Sequence, residues 1–219
     1  FYGQNPTPRI IWIDNGASSE RLLEVLDGEF LDFNLESGMC INMFDLPTGQ
    51  IKPGPDKVKM VIAVLEMILK DEEKAGIPKR QKALLEEAVY KVYSRALGKS
   101  PTLSDLKQHL ASHEVLEMRN YAEILYSWTG DTAYGRILDG QTNVRLSKDL
   151  VTIEVQSLNE HSELKNAVLL LLTSYIQETS TADFERPYLL IVDEAERLFQ
   201  TEMARQFVIT CYRTWRKFN

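Results

Sequence analysis

Tyr188-Leu189-Leu190-Ile191-Val192-Asp193-Glu194-Ala195-Glu196-Arg197-Leu198 decides the reading of this chain. Five largely apolar residues run straight into two acids, and a helical pattern follows. A continuous apolar run bounded in this way predicts a strand buried on both faces. In an open α/β sheet, chemistry collects at the carboxyl ends of the strands, which is where Asp193 and Glu194 stand.

Two readings of those acids stay open on the pattern alone. In nucleotide hydrolases a strand ending in two acids is the Walker B arrangement. Asp193 would then hold Mg²⁺ through oxygen ligands or their waters, and Glu194 would orient and polarise the attacking water. In the other reading the acids simply suit the dipole at the start of the following helix.

Working outward, the chain has 219 residues, 44% hydrophobic and 26% charged, with a net charge of −7. That composition fits a globular protein with a real core. It gives no overall basic surface for nucleic acid, although a local basic loop remains compatible. Cys40 and Cys211 are far apart, which argues against a disulfide scaffold and fits a reducing compartment. Phe1 to Pro8 reads as polar and turn-like rather than as a signal peptide. The most apolar window, 168–176, is too short to span a bilayer and is broken by Thr173 and Ser174. Strand or helix patterns run almost to both ends, so a segment of a longer protein is expected.

Three parts are predicted. Residues 1–55 alternate strands and turns: a strand over 9–14, a turn and helix cap at Asn15-Gly16-Ala17-Ser18-Ser19, a helix over 20–26 and a strand over 29–33. Residues 56–135 read as almost all helical. Apolar periods of 3.6 residues mark helices over 58–74 and 80–97, followed by helices over 102–110 and 115–128. From Leu150 the alternation returns, with a strand over 151–155, a buried helix over 162–178 and a closing helix over 201–215. The expected organisation is an α/β core from 1–55 and 136–219, interrupted by an all-α insert with a small core of its own.

Gly98-Lys99-Ser100 imitates the end of a P-loop, but a P-loop needs Gly where Tyr93 stands, and Pro101 follows the triplet. A helix C-cap is the expected role. No other GxxxxGK[ST] occurs. His109 and His113, four apart on a predicted helix, could share a metal, but no third ligand is apparent and a solvated helix face is the preferred reading. Asp14 also ends a strand, and the turn after it makes it a turn former rather than a second catalytic acid. Arg213, Arg216 and Lys217, with Trp215, either touch phosphate or DNA or form a basic helix end favoured by the dipole.

The order of these segments resembles the ATPase domain of TraC-like conjugation proteins, the VirB-four type of type IV secretion ATPase. Ile13-Asp14-Asn15-Gly16-Ala17-Ser18 resembles that family's strand and turn after the P-loop helix, and Gly28-Glu29-Phe30-Leu31-Asp32-Phe33 its next strand. Ile41-Asn42-Met43-Phe44 is similar to its Ile-Asn-Pro-Phe element, with Met43 in place of Pro. Pro101 to Leu106 falls in the all-α insert, and 126–143 resembles the segment leading back to the sheet. Ile191 to Glu196 is similar to its Walker B, with Glu196 where Trp is frequent, and Arg213 to Asn219 resembles its Arg/Lys-rich motif.

The resemblance implies a RecA-like P-loop NTPase sheet of which this chain lacks the Walker A strand, with the P-loop expected before Phe1 and a Gln-bearing strand after Asn219. It implies ATP and Mg in the parent protein, with Asp193 on the metal, Glu194 as the catalytic carboxylate that orients water, and Arg213, Arg216 and Lys217 on phosphate or acting in trans. The parent would power pilus assembly or substrate translocation as a homo-oligomer, a hexamer. It would work with secretion and conjugation machinery on the cytoplasmic face of a bacterial inner membrane. A DNA-translocating ATPase of the same superfamily and a non-catalytic partner-binding module are the alternatives, and direct nucleic-acid contact is left open. Without a Walker A motif, residues 1–219 alone are expected to be inactive.

Overall fold

A computed structural model describes residues 7–16, 19–70, 76–96, 98–182, 186–199 and 202–218. Among them, four strands form one parallel sheet: β1 (Arg9–Asp14), β2 (Glu29–Asp32), β3 (Leu150–Glu154) and β4 (Tyr188–Val192). The order is β2-β3-β1-β4. β1 pairs Ile11 with Val151 of β3 on one side and with Leu190 of β4 on the other. Ile, Val and Thr dominate β1 and β3, as suits a pleated surface packed on both faces. Ile11, Ile13, Val151 and Ile153 are fully buried.

β4 departs from the expectation of burial on both faces. It pairs only with β1 among the described strands, and Leu189 and Ile191 are 50% and 38% exposed. A period-two alternation of cover results, since the side chains on one face pack inward and those on the other do not.

Among the described residues, eight α-helices accompany the sheet. α1 (Glu20–Leu26) follows β1; α2 (Pro55–Leu69), α3 (Lys79–Arg95), α4 (Leu103–Ala111), α5 (Leu116–Ile124) and the single turn α6 (Gly135–Leu138) lie between β2 and β3. α7 (Ser162–Ala182) joins β3 to β4, and α8 (Glu202–Phe218) closes the chain. Pro55 opens α2, where its fixed φ suits the first helical position. Thr102 caps α4 in a reciprocal box with Asp105. Gly98, expected as the C-cap of α3, instead lies two residues beyond the C-cap Ala96, with a positive φ of 87°. The predicted extensions to Lys74 and Leu97, and Ala17 and Ser18 of the predicted turn, lie outside the described residues.

The helices of 56–135 do not close a core of their own. α2 packs on α7 and α8 as well as on α3, and its residues 60–69 are all buried. The buried side chains of α2 to α5 join those of β1, β3 and α7 in one continuous cluster. Tyr93 of α3 helps to bind the parts, donating to the Phe44 carbonyl at 2.7 Å with the two rings edge to face. Asn42 donates to the Pro101 carbonyl at 2.8 Å. The apolar surface of α2 faces in too many directions to be covered by α3 alone.

Both cysteines are buried. Burial pushes the Cys40 thiol up to about 11 and the Cys211 thiol up to about 12, so neither carries appreciable thiolate near neutral pH. Both should therefore react slowly with a disulfide reagent at pH 8 in the native protein and promptly in urea. Rapid native labelling of either would show that its surroundings open readily.

Candidate functional site

The carboxyl ends of β1, β3 and β4 meet at one edge of the sheet, because all three strands are parallel and in register there. The backbone carries the alignment one residue further: Asp193 N–H donates to the Ile13 carbonyl and Val155 N–H to the Asp14 carbonyl. This edge brings together Asp14 and Asn15, Glu154, and Asp193 and Glu194.

Asp14 is buried and accepts from the amides of Asn15 and Ser19 and from the Ser19 hydroxyl at 3.0 Å. It shapes the turn into α1, as the sequence suggested. Ser19 begins α1 but its side chain makes no capping bond to the helix, since its hydroxyl serves Asp14. Glu154, also buried, accepts from the Gly16 amide at 3.2 Å and the Gln156 amide at 2.6 Å. Two carboxylates thus fix the backbone on either side of Asn15.

Asp193 is exposed, and its Oδ1 accepts from the Glu194 amide at 3.0 Å. Glu194 differs in every respect. Its backbone is left-handed, with φ +52°, and its carboxylate is half-buried in a network of donors. Lys165 Nζ reaches Oε2 at 3.0 Å, Arg197 Nε reaches the same oxygen at 2.5 Å, and Asn15 Nδ2 reaches Oε1 at 2.8 Å. The Lys165 hydrogen bond, then that of Arg197, holds the Glu194 carboxyl below the usual glutamate range.

Lys165, on the first turn of α7, has a fully buried side chain. Its remaining donors go to Asn15 Oδ1 at 2.7 Å and Asn159 Oδ1 at 2.5 Å. A buried ammonium survives only with such complete satisfaction. Lys165, Asn159, Glu154 and Arg197 are site residues that the sequence reading passed over. The available signal was Lys165 itself, the one cation inside the stretch Leu164 to Leu172, which is apolar but for Lys165 and Asn166.

The basic residues of α8 stand elsewhere. Cys211, two residues before Arg213, donates to Gln177 Oε1 at 2.8 Å. Gln177 lies twelve residues along α7 from Lys165, about 18 Å at the rise of an α-helix. Arg213 is exposed, at the end of the helix layer remote from Glu194. Arg216 and Lys217 follow on the same helix, with side chains outside the described residues.

His113 lies beyond the end of α4, so the two histidines do not share a helix face. His109 Nδ1 sits 3.3 Å from Arg95 Nη1, and His113 Nδ1 accepts from the Val115 amide. The two rings meet edge to face with centroids 6.4 Å apart. A cleft of ≈ 660 Å³ lies away from the acids, lined by Ile51, Tyr90 and Gly98 among others.

Among the described residues no three potential ligands cluster as a ready-made metal cage. A single exposed carboxylate at a strand end nevertheless fits a hydrated Mg²⁺, which takes one or two carboxylates and keeps several waters. No helix among the described residues is long and apolar enough to cross a membrane.

The model of the TraG P-loop domain matches residues 2–219, essentially the whole chain. The chain belongs to the TraG P-loop domain family. As a TraG P-loop domain it has a nucleotide-binding fold, and the family-level resemblance to TraC-like and VirB-four-type secretion ATPases stands. The structure is similar to that of VirB4 of Thermoanaerobacter pseudethanolicus, with a TM-score of 0.81 and 22% sequence identity, over 96% of this chain and 84% of that one. At that identity the likeness establishes the fold of this TraG P-loop domain: a parallel α/β sheet with its helices. No curated protein matches the chain.

Proposed function

We propose that this chain supplies the metal- and water-handling edge of a motor that hydrolyses Mg-ATP to power conjugative transfer or type IV secretion. The observation that carries the reading is the pair Asp193–Glu194 at the carboxyl end of a parallel strand. One side chain is exposed and the other is held in a network of charge. Asp193 would hold Mg²⁺ directly or through its waters, and the metal, when bound, offsets phosphate charge. Glu194 would orient and polarise the attacking water.

Arg213, Arg216 and Lys217 are proposed to act in trans, because α8 carries them away from Glu194. In a homo-oligomer, a hexamer in this reading, they would meet a neighbour's phosphates. Residues 56–135 are proposed as an inserted subdomain between the core segments 1–55 and 136–219, serving contacts with secretion machinery or neighbouring subunits. The whole would work on the cytoplasmic face of a bacterial inner membrane.

Asp193→Ala, made in the protein that carries this chain, should weaken Mg²⁺-dependent nucleotide binding by ~10–100-fold, the worth of one hydrogen bond to a charged group. Binding without Mg²⁺ should hardly change. Calorimetry with and without the metal separates the two, and an unaltered Mg²⁺ dependence overturns the assignment of Asp193.

A further inference from the structure

Glu194 accepts from three donors, which fill three of the roughly four acceptor sites of an ionised carboxylate and restrain both of its oxygens. Oε1 receives the Asn15 amide, and Oε2 receives both Lys165 and Arg197. Asn15 is tied through both ends of its own side chain, since Nδ2 donates to Glu194 while Oδ1 accepts from Lys165. Lys165 in turn spends its three donors on Asn15, Asn159 and Glu194. The left-handed backbone of Glu194 (φ +52°) is one a glutamate keeps only where its surroundings hold it.

We propose that Asn15 and Lys165 form a latch that holds Glu194 off the hydrolytic water, so that the Asn15–Glu194 hydrogen bond must open before hydrolysis. This deepens, and rests on, the reading of Glu194 as the water-orienting residue.

The three donors are not equivalent. Lys165 is fully buried, and an ammonium left there without its carboxylate is costly, so Lys165 keeps Oε2. Arg197 shares that same oxygen. Asn15 is neutral, half-buried and at the start of a turn whose next residue, Gly16, has φ +147°. It can let go without stranding a charge. Oε1 is therefore the oxygen the latch frees, and Lys165 is the pivot about which the carboxylate turns. Both are positioning residues, acting through Glu194.

The test is Asn15→Ala in the protein that carries this chain, with Glu194→Gln measured beside it. Losing one hydrogen bond that restrains Glu194 should raise kcat for ATP hydrolysis by ~3–10-fold with KM unchanged. A purely structural role for Asn15 predicts no rise. A second readout needs no nucleotide: in a urea-unfolding cycle of Asn15→Ala, Glu194→Ala and the double variant, the unfolding constant of the double should deviate ~3–10-fold from the product of the singles.

A fall in kcat, or no change, overturns the latch and leaves the catalytic reading of Glu194 standing. Additive unfolding constants show that the contact does not hold in solution and overturn it equally. If Glu194→Gln hydrolyses ATP normally, the catalytic reading itself fails and the latch falls with it.

Discussion

Glu194→Gln in the protein that carries this chain is expected to lower ATP hydrolysis by ~10²–10⁴-fold, the usual size of a general-base contribution. Gln matches the shape of Glu, and its amide oxygen can still accept from Asn15 or Lys165. What it lacks is the negative charge that polarises a water molecule. Nucleotide binding should survive, because the carboxylate is not among the groups proposed to hold the metal. Steady-state turnover and equilibrium binding must be measured on the same preparation, so that lost folding is not mistaken for lost chemistry. Normal turnover would return Asp193 and Glu194 to the plainer role of acids at the start of a helical segment.

Lys165→Ala should destabilise the nucleotide-free chain by ~3–5 kcal/mol. Two losses combine. The aliphatic stem leaves a cavity beside Leu164, Val168 and Leu169, all fully buried. The ammonium no longer supplies Asn15, Asn159 and Glu194. Lys165→Met keeps most of the volume and should cost only ~1–2 kcal/mol, because an apolar replacement of a buried ion is better tolerated than a void. Urea unfolding with a fixed m-value distinguishes them. A change within ~0.5 kcal/mol for Lys165→Ala, typical of an exposed position, would mean that the network contributes nothing to the fold.

Much of this architecture was readable in the residues. α1 runs over the expected 20–26, and β1 and β4 have the expected limits, because caps, turns and apolar runs act locally. The half-exposed face of β4 was not readable. An apolar run reports that a strand prefers cover, while sheet order decides which strand stands at the edge. The insert's expected private core failed for a related reason. The apolar stripes of α2 and α3 predict helices, but only the tertiary arrangement assigns α2 to α7 and α8.

At the candidate site, the placement of Asp193 and Glu194 at a strand end was legible from one window, and Asp14 is the turn former that its surroundings suggested. The charged network was hidden because its members, Asn15, Asn159, Lys165 and Arg197, are dispersed over 183 positions of sequence, counting 15 to 197 inclusive. A lysine inside an apolar helix was the one local anomaly. Its partner could not be named without the crossing of α7 over the end of β1.

The exposed side of β4 bears on how this chain behaves in a tube. Alternate residues there, Tyr188, Leu190 and Val192, carry amides and carbonyls that no described strand engages on the outer side, flanked by the half-bare Leu189 and Ile191. Such a margin is a template for strand addition, open to any extended polypeptide of suitable register, including another copy. Solubility should accordingly fall with concentration sooner than a charge of −7 suggests, and a lysine at position 189 should lengthen shelf life without touching the acids.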